Sequence, residues 1–326
     1  MKTAYIESNS FDPWLNLSIE EYLLDTYARD NAVLYLWQNA HTVVIGRNQN
    51  AWRECRIENL ERDGGKLARR LSGGGAVYHD LGNLNFTFLL PRLEYNLHRQ
   101  LAVIVDAVKG LGIEANFSGR NDILAEGKKF SGNAFYHGRQ ASYHHGTVLI
   151  DVDMSRLSMY LNVSKAKMES KGVRSVASRV VNLKDLKPDL TIEIMKRAMY
   201  DGFIEEYGHI DRILDYDEIA SREEVKTLYS KYSSREWLLG KSPEFDFEIE
   251  NRFVWGGIEI GLNVIKGMIR EAVVYSDSMD VDFIELLRSS LKGIEFSRES
   301  LTGTLASLPE NKERADLIEW FDQVEL

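Results

Sequence analysis

Three consecutive glycines behind two arginines, in Arg69-Arg70-Leu71-Ser72-Gly73-Gly74-Gly75-Ala76-Val77-Tyr78-His79-Asp80, constrain this chain more than any other stretch. Glycine reaches positive φ and carries no Cβ, so successive backbone N–H groups can converge on an anion while an arginine adds a charged fork. The stretch reads as a phosphate-binding turn, the alternative being a flexible hairpin connection. Two better-known phosphate loops do not fit. A P-loop needs Gly-x-x-x-x-Gly-Lys-Ser/Thr, and the Gly240-Lys241-Ser242 triplet has Arg235 where the first glycine must stand. A dinucleotide fingerprint needs a glycine at the position of Tyr78.

The surrounding pattern predicts strands and helices in mixed order. Leu84, Phe86, Phe88 and Leu90 alternate with Asn85, Thr87 and Leu89, so a strand leaves the glycine turn and a rigid scaffold can aim it. Upstream, 15–27 has helical spacing with Glu20 and Glu21 between its apolar positions, and Asn16 or Ser18 could cap it; 32–37 and 42–45 read as neighbouring strands. Downstream, 100–111 reads as an amphipathic helix, 115–118 and 122–125 as strands, and 129–136 with 141–152 as a hairpin across His137-Gly138-Arg139. A helix over 192–207 follows. Gly240 to Pro243 reads as a boundary, after which alternating apolar residues predict a β-meander, then helices over 281–291 and 301–321. The mixture points to α/β or α+β packing.

Size and charge narrow the classes. At 326 residues the chain exceeds what one core usually supports, so two domains are expected. The apolar share of 44% is that of a folded protein, and a net charge of −10 argues against a general nucleic-acid binder. Neither a membrane-spanning run nor the apolar core of a signal peptide is evident, which leads to the expectation of a cytoplasmic protein without a membrane partner. One cysteine, Cys55, excludes an intrachain disulfide and a cysteine-based zinc cluster. Within this anionic chain, 162–183 carries Lys165, Lys167, Lys171, Arg174 and Arg179 against Glu169 alone. Broken by Gly172 and β-branched residues, Lys171 to Val176 is a poor helix and reads as a mobile basic loop, the alternative being a solvated helix.

Once the glycine turn is set beside the later segments, the chain resembles the lipoate-protein ligase A family. The resemblance rests on Ser10-Phe11-Asp12-Pro13-Trp14-Leu15-Asn16-Leu17, on Val43-Val44-Ile45-Gly46-Arg47-Asn48-Gln49-Asn50, and on the glycine turn extended through Asn83. It continues in Gly119-Arg120-Asn121-Asp122, Lys129-Phe130-Ser131-Gly132-Asn133-Ala134, His144-His145-Gly146-Thr147 and the run from Lys171 to Leu183. Phe253-Val254-Trp255-Gly256-Gly257 resembles the family's C-terminal accessory domain. Tyr78 and Ala51 stand where Phe and Pro are frequent in the family; position 78 would meet adenylate through backbone, so neither side-chain change alters the implied chemistry.

The resemblance implies an α+β protein: a biotin/lipoate ligase-like catalytic domain over 1–243, with mixed sheets and flanking helices, and a small α+β accessory domain over 244–326. It implies an ATP-dependent ligase that converts lipoate to lipoyl-AMP with release of pyrophosphate. The lipoyl group would then pass to a lysine of carrier domains, namely E2 subunits of 2-oxoacid dehydrogenase complexes and the glycine-cleavage H protein. The chain would act as a monomer. By the same resemblance Arg70, Gly75, Ala76, Val77, Tyr78, Asn83, Asn121 and Lys129 would bind ATP or adenylate. Arg70, Ser72, Lys129 and His145 would bind lipoate, Asp122 would hold Mg²⁺, and Lys165, Lys171, Gly172, Arg174 and Ser175 would belong to an adenylate-binding loop.

The residue types suit that chemistry. A carboxylate attacking an α-phosphate brings two anions together, which calls for fixed cations, N–H donors and an oxygen-ligated divalent ion. From the residues alone Lys128 and Lys129 are equal candidates; the resemblance selects Lys129 as catalytic. Asn121-Asp122 could equally be a plain turn, and His145 a core histidine bonded to backbone. Adjacent histidines cannot share one face of a strand, which argues against a metal pair at His144 and His145. Two rival readings are a transferase of the same fold that works through a cysteine thioester, for which Cys55 is the candidate, and a non-catalytic lipoyl- or nucleotide-binding homologue.

Overall fold

Local signals set where the first helix begins. Asp12 accepts a hydrogen bond from the Trp14 N–H at 3.0 Å and Pro13 occupies the first turn, so the helix runs Pro13–Asp25. The expected caps, Asn16 and Ser18, lie inside it. Their polar groups are used in the interior: the Asn16 amide donates to Gln38 O at 2.8 Å, and Ser18 Oγ donates to Trp14 O. Asn96 likewise caps the helix Leu97–Gly110 by accepting from His98 and Arg99.

The computed structural model describes residues 1–118, 121–162, 180–240 and 246–324. The chain forms two compact units: Met1–Ile45, Ala51–Arg70 and Ala76–Leu238 make the first, and Gly46–Asn50, Leu71–Gly75 and Leu239–Leu326 the second. Strands of the first unit are β1 (Lys2–Glu7), β2 (Asn31–Trp37), β3 (Thr42–Ile45), β4 (Lys66–Arg69), β5 (Val77–His79) and β6 (Asn83–Pro91). They continue with β7 (Ala115–Ser118), β8 (Asp122–Ala125), β9 (Lys128–His137), β10 (Ala141–Leu149) and β11 (Arg212–Ile213).

Among the described residues these strands build a mixed eight-stranded sheet, β11-β1-β2-β6-β10-β9-β8-β7, and a three-stranded sheet, β4-β3-β5. The expectation that β2 and β3 are neighbours is therefore corrected: β2 pairs with β1 and β6, while β3 pairs with β4 and β5. His41, at φ 36, stands just before β3, and the change of direction sends the chain to another sheet. Helices Leu97–Gly110 and Ile192–Tyr207 cover the large sheet through a core that includes Phe86, Phe88, Ile104, Met199 and Phe203. Fully burying a side chain of this size stabilises by about 1.5–3 kcal/mol.

The second unit carries the antiparallel meander β12 (Phe247–Phe253), β13 (Gly256–Ile265) and β14 (Met268–Ser276). Helices Val281–Ser290, Arg298–Ala306 and Lys312–Gln323 pack on it. The single helix expected over 301–321 is two. Pro309 disfavours helical backbone at Leu308, and Asn311 caps the next helix by accepting from Arg314 N at 2.8 Å.

Candidate active site

Lys129 sits near the start of β9, and its ammonium lies 2.7 Å from Asp122 Oδ1 on β8. Both side chains are roughly one-third exposed, so the pair faces solvent without being loose. The backbone around it is tied on both sides: Val181 N–H donates to Lys129 O at 2.9 Å, and Val180 bridges Lys129 in parallel register. Lys128, opposite Ala125, is exposed. Asp122, expected to hold a metal, is here the counter-charge of the lysine.

Behind this pair lies an amide network. Asn121 Nδ2 donates to Asn133 O at 3.0 Å, Asn133 N–H donates to Asn121 O at 3.0 Å, and His144 Nε2 meets Asn133 Oδ1 at 2.7 Å. Asn133 Nδ2 donates to Asn121 O, so its Oδ1 is the acceptor and His144 Nε2 carries the proton. Burial holds His144 well below the ordinary histidine range, so its ring is neutral. Asn133, not assigned a role from sequence, is what fixes Asn121.

His145 faces elsewhere, as alternation along β10 requires. Its Nδ1 lies 2.8 Å from Glu20 Oε1, which also accepts from Thr87 Oγ1 at 2.7 Å, and Thr87 in turn accepts from Trp37 Nε1 at 3.0 Å. The histidine is bonded to a buried carboxylate. Glu20 is 1% exposed. A charged residue between apolar positions of a helix ordinarily faces solvent; the sequence signal that Glu20 does not is its spacing of four from Asn16, which puts the two on one face.

Arg70 belongs to the same neighbourhood. Burial pushes its guanidinium down to about 10, against the pull of Tyr143, Glu20 and Glu54, so it remains a cation at neutral pH. One Nη donates to Val44 O at 3.2 Å, and its backbone N–H donates to Ile45 O. Burial also holds His79 down at about 3, with repulsion from Arg70 and His145 added. Glu20 thus holds His145, whose ring lies 4.7 Å from that of Tyr143, while His79 meets Asn39. Arg69 does different work: its guanidinium donates to Trp237 O and Leu238 O, and Trp237 Nε1 donates to Arg69 O.

The glycine turn divides between the units. Ser72, Gly73, Gly74 and Gly75 belong to the second. There Gly74 adopts φ 89, its N–H donates to Ser278 O at 3.2 Å, and a Cβ on Gly73 would stand 2.1 Å from Ser278 O. Ser72 is buried and its carbonyl accepts from Arg47 N–H at 2.9 Å. These glycines permit close backbone packing on Ser278, where the sequence pattern suggests an anion. Gly75, Ala76 and Val77 are more open, while Tyr78 is buried against His41 and Tyr160. Asn83 is fully buried and donates through Nδ2 to Asn85 Oδ1 at 2.9 Å.

Lys165, Lys171, Gly172, Arg174 and Ser175, expected in an adenylate-binding loop, lie outside the described residues, as do Gly119 and Arg120. No cluster of three or more histidine, cysteine or carboxylate side chains that could hold a metal occurs among the described residues. Cys55 ends the short helix Ala51–Glu54, is 2% exposed, and burial pushes its thiol up to about 12. Such a thiol is not a ready nucleophile.

Against known proteins, residues 12–204 match the lipoyl protein ligase A/B catalytic domain and 242–321 match the bacterial lipoate protein ligase C-terminus. A lipoate-protein ligase A of Psychrobacter cryohalolentis is 40% identical over 99% of this chain and 97% of its own. Among solved structures, P. falciparum LipL1 in complex with lipoate is 32% identical at a TM-score of 0.89, covering 99% of this chain and 100% of that one. A lipoate-protein ligase A bound with ATP is 27% identical at a TM-score of 0.63, covering 74% and 99%. With both domains matched in order and near-complete overlap with a curated relative, the chain belongs to the lipoate-protein ligase A family.

Proposed function

We propose that this ligase activates lipoate with ATP and passes the lipoyl group to a lysine of lipoyl carrier domains, E2 subunits and the glycine-cleavage H protein. The observation that carries the reading is the Lys129 ammonium, held 2.7 Å from Asp122 at a solvent-facing strand pair within the family's Lys129-to-Ala134 motif. In the first step a lipoate carboxylate oxygen bonds to the α-phosphorus as the bond to the β-phosphate oxygen breaks, releasing pyrophosphate. In the second the carrier amine attacks the acyl carbon, the bond to AMP breaks, and the amine loses a proton.

Lys129 would neutralise charge where carboxylate meets phosphate, and Arg70, cationic and buried, would serve the lipoate side with His145 held by Glu20. The backbone of Gly75 to Tyr78, with Asn83 and Asn121, would serve the nucleotide, and Ser72 the lipoate. The loop containing Lys165, Lys171, Gly172, Arg174 and Ser175 would cover the adenylate. Mg²⁺ at an ATP site takes one or two carboxylates plus phosphate oxygens, and Asp122 would offer one partly exposed carboxylate, with Oδ1 shared with Lys129. Bound there, the ion would supply charge neutralisation on the phosphates. We assign the catalytic domain to 1–243 and the accessory domain to 244–326, in a monomeric, cytoplasmic enzyme.

The test is purified protein with ATP, Mg²⁺, lipoate and an H protein, read by pyrophosphate release and intact carrier mass. A mass gain of one lipoyl group that needs ATP is expected. Acyl transfer without ATP would favour a transferase, and no carrier modification a non-catalytic homologue.

A further inference from the structure

The pairing of β8 with β9 is irregular at one point, and that point adjoins the lysine. Asp122 stands opposite Gly132 and Ile123 opposite Ser131, but Leu124 stands opposite Lys129 and Ala125 opposite Lys128. Phe130 is the extra residue, a bulge whose ring is fully buried in the core. In a regular strand, residues three apart point to opposite faces; one inserted residue brings Lys129 and Gly132 to the same face. The lysine then runs diagonally over Gly132 to the aspartate that Gly132 faces across the strands.

Gly132 leaves room for this and nothing else. A Cβ built on it would lie 2.9 Å from Lys129 Nζ and 3.0 Å from Cε, with Thr147 Oγ1 next at 3.8 Å. Gly132 is not among the glycines at positive φ, so its backbone suits any residue and space is the reason for glycine here. Its N–H donates to Thr147 Oγ1 at 3.2 Å, which fixes the strand beneath the lysine.

We propose that Gly132 is a positioning residue: the missing side chain is a seat that lays the Lys129 ammonium against Asp122. An added methyl meets the far end of a flexible side chain, so the fold tolerates it while the ammonium must move. For the reaction, this rests on the ligase reading given above. Displacing a charge by a fraction of an ångström to an ångström costs on the order of tenfold to a hundredfold in rate.

Two measurements test the seat. The first is a double-mutant cycle of Gly132→Ala and Lys129→Ala, read by lipoate-dependent pyrophosphate release with melting midpoints alongside. Gly132→Ala is expected to slow release about tenfold or more at a near-native midpoint, yet to cost nothing further once Lys129 is alanine. A native rate, or an equal fractional loss in both backgrounds, overturns the proposal. The second needs no activity: limited acetylation of the native protein and of Gly132→Ala, followed by peptide mass analysis. Lys129 should label severalfold faster relative to Lys128 in the variant, and an unchanged ratio overturns the seat. If the native protein releases no pyrophosphate with lipoate, the ligase reading fails while the labelling still decides the seat.

Discussion

Each unit has an apolar core, and the two differ in the polar groups buried beside it. The first buries Asn16 and Glu20 on its first helix, Arg70 just after β4, and Thr87, Asn133, His144 and His145 on strands, most of them hydrogen-bonded within this set. The second unit's core cluster runs from Trp255 through Leu262 and Leu287 to Phe321, and its buried polar residues, Ser72, Ser276, Asp277 and Ser278 among them, include no histidine. A buried polar group is costly unless partnered, so a network of this kind is kept where it orients something. The first unit links buried polar side chains around Glu20 and Asn133, whereas the second unit's large buried cluster is apolar. All seven histidines lie in the first unit.

The largest effect should come from the dry core. Phe321→Ala removes a fully buried ring and should cost about 3–5 kcal/mol of the second unit's stability. Calorimetry or circular dichroism melts would read it, and a loss under about 1 kcal/mol would mean that this core is loosely packed.

Next comes Lys129→Ala, which should leave stability near native but raise the activation barrier by about 3 kcal/mol, on the order of a hundredfold in pyrophosphate release. Lys128→Ala should be mild. Equal small losses from both would undo the assignment of the lysine.

Glu20→Ala strikes the polar interior, leaving the Thr87 hydroxyl and His145 Nδ1 without their acceptor. A loss of about 1–3 kcal/mol in stability is expected, with weaker lipoate binding by titration calorimetry. Unchanged values on both counts would make the network ornamental.

Acid should separate the units further. His79 is held down at about 3 in the folded state by burial, from an ordinary 6.5. The unfolded chain therefore takes up its proton first, so the stability due to neutral His79 is whole above about pH 6.5 and is lost as pH falls toward 3. His144 acts in the same direction. Melting at pH 7.5 and pH 5 should lower the first unit's transition more than that of the histidine-free second unit, and equal shifts would contradict this.

The smallest effect is expected from Cys55→Ser. A buried thiol becomes a buried hydroxyl at a cost of about 1–2 kcal/mol, with ligation nearly intact; loss of activity with the fold retained would reopen the transferase reading.

The local elements and the family are legible along the chain. Periodicity marked β6, β7, β8 and the β9–β10 hairpin, because alternation is a property of neighbours along the chain. The ordered motifs around Arg70, Lys129 and His145 carried the resemblance. The remainder rests on contacts between distant segments. Which sheet β3 joins, that Glu20 points inward, that Arg69 is a staple while Arg70 lines a polar interior, and that the glycine turn packs on Ser278 all depend on residues remote in sequence. So does the bulge at Phe130, since a shift of register exists only between two strands and cannot be read from either one.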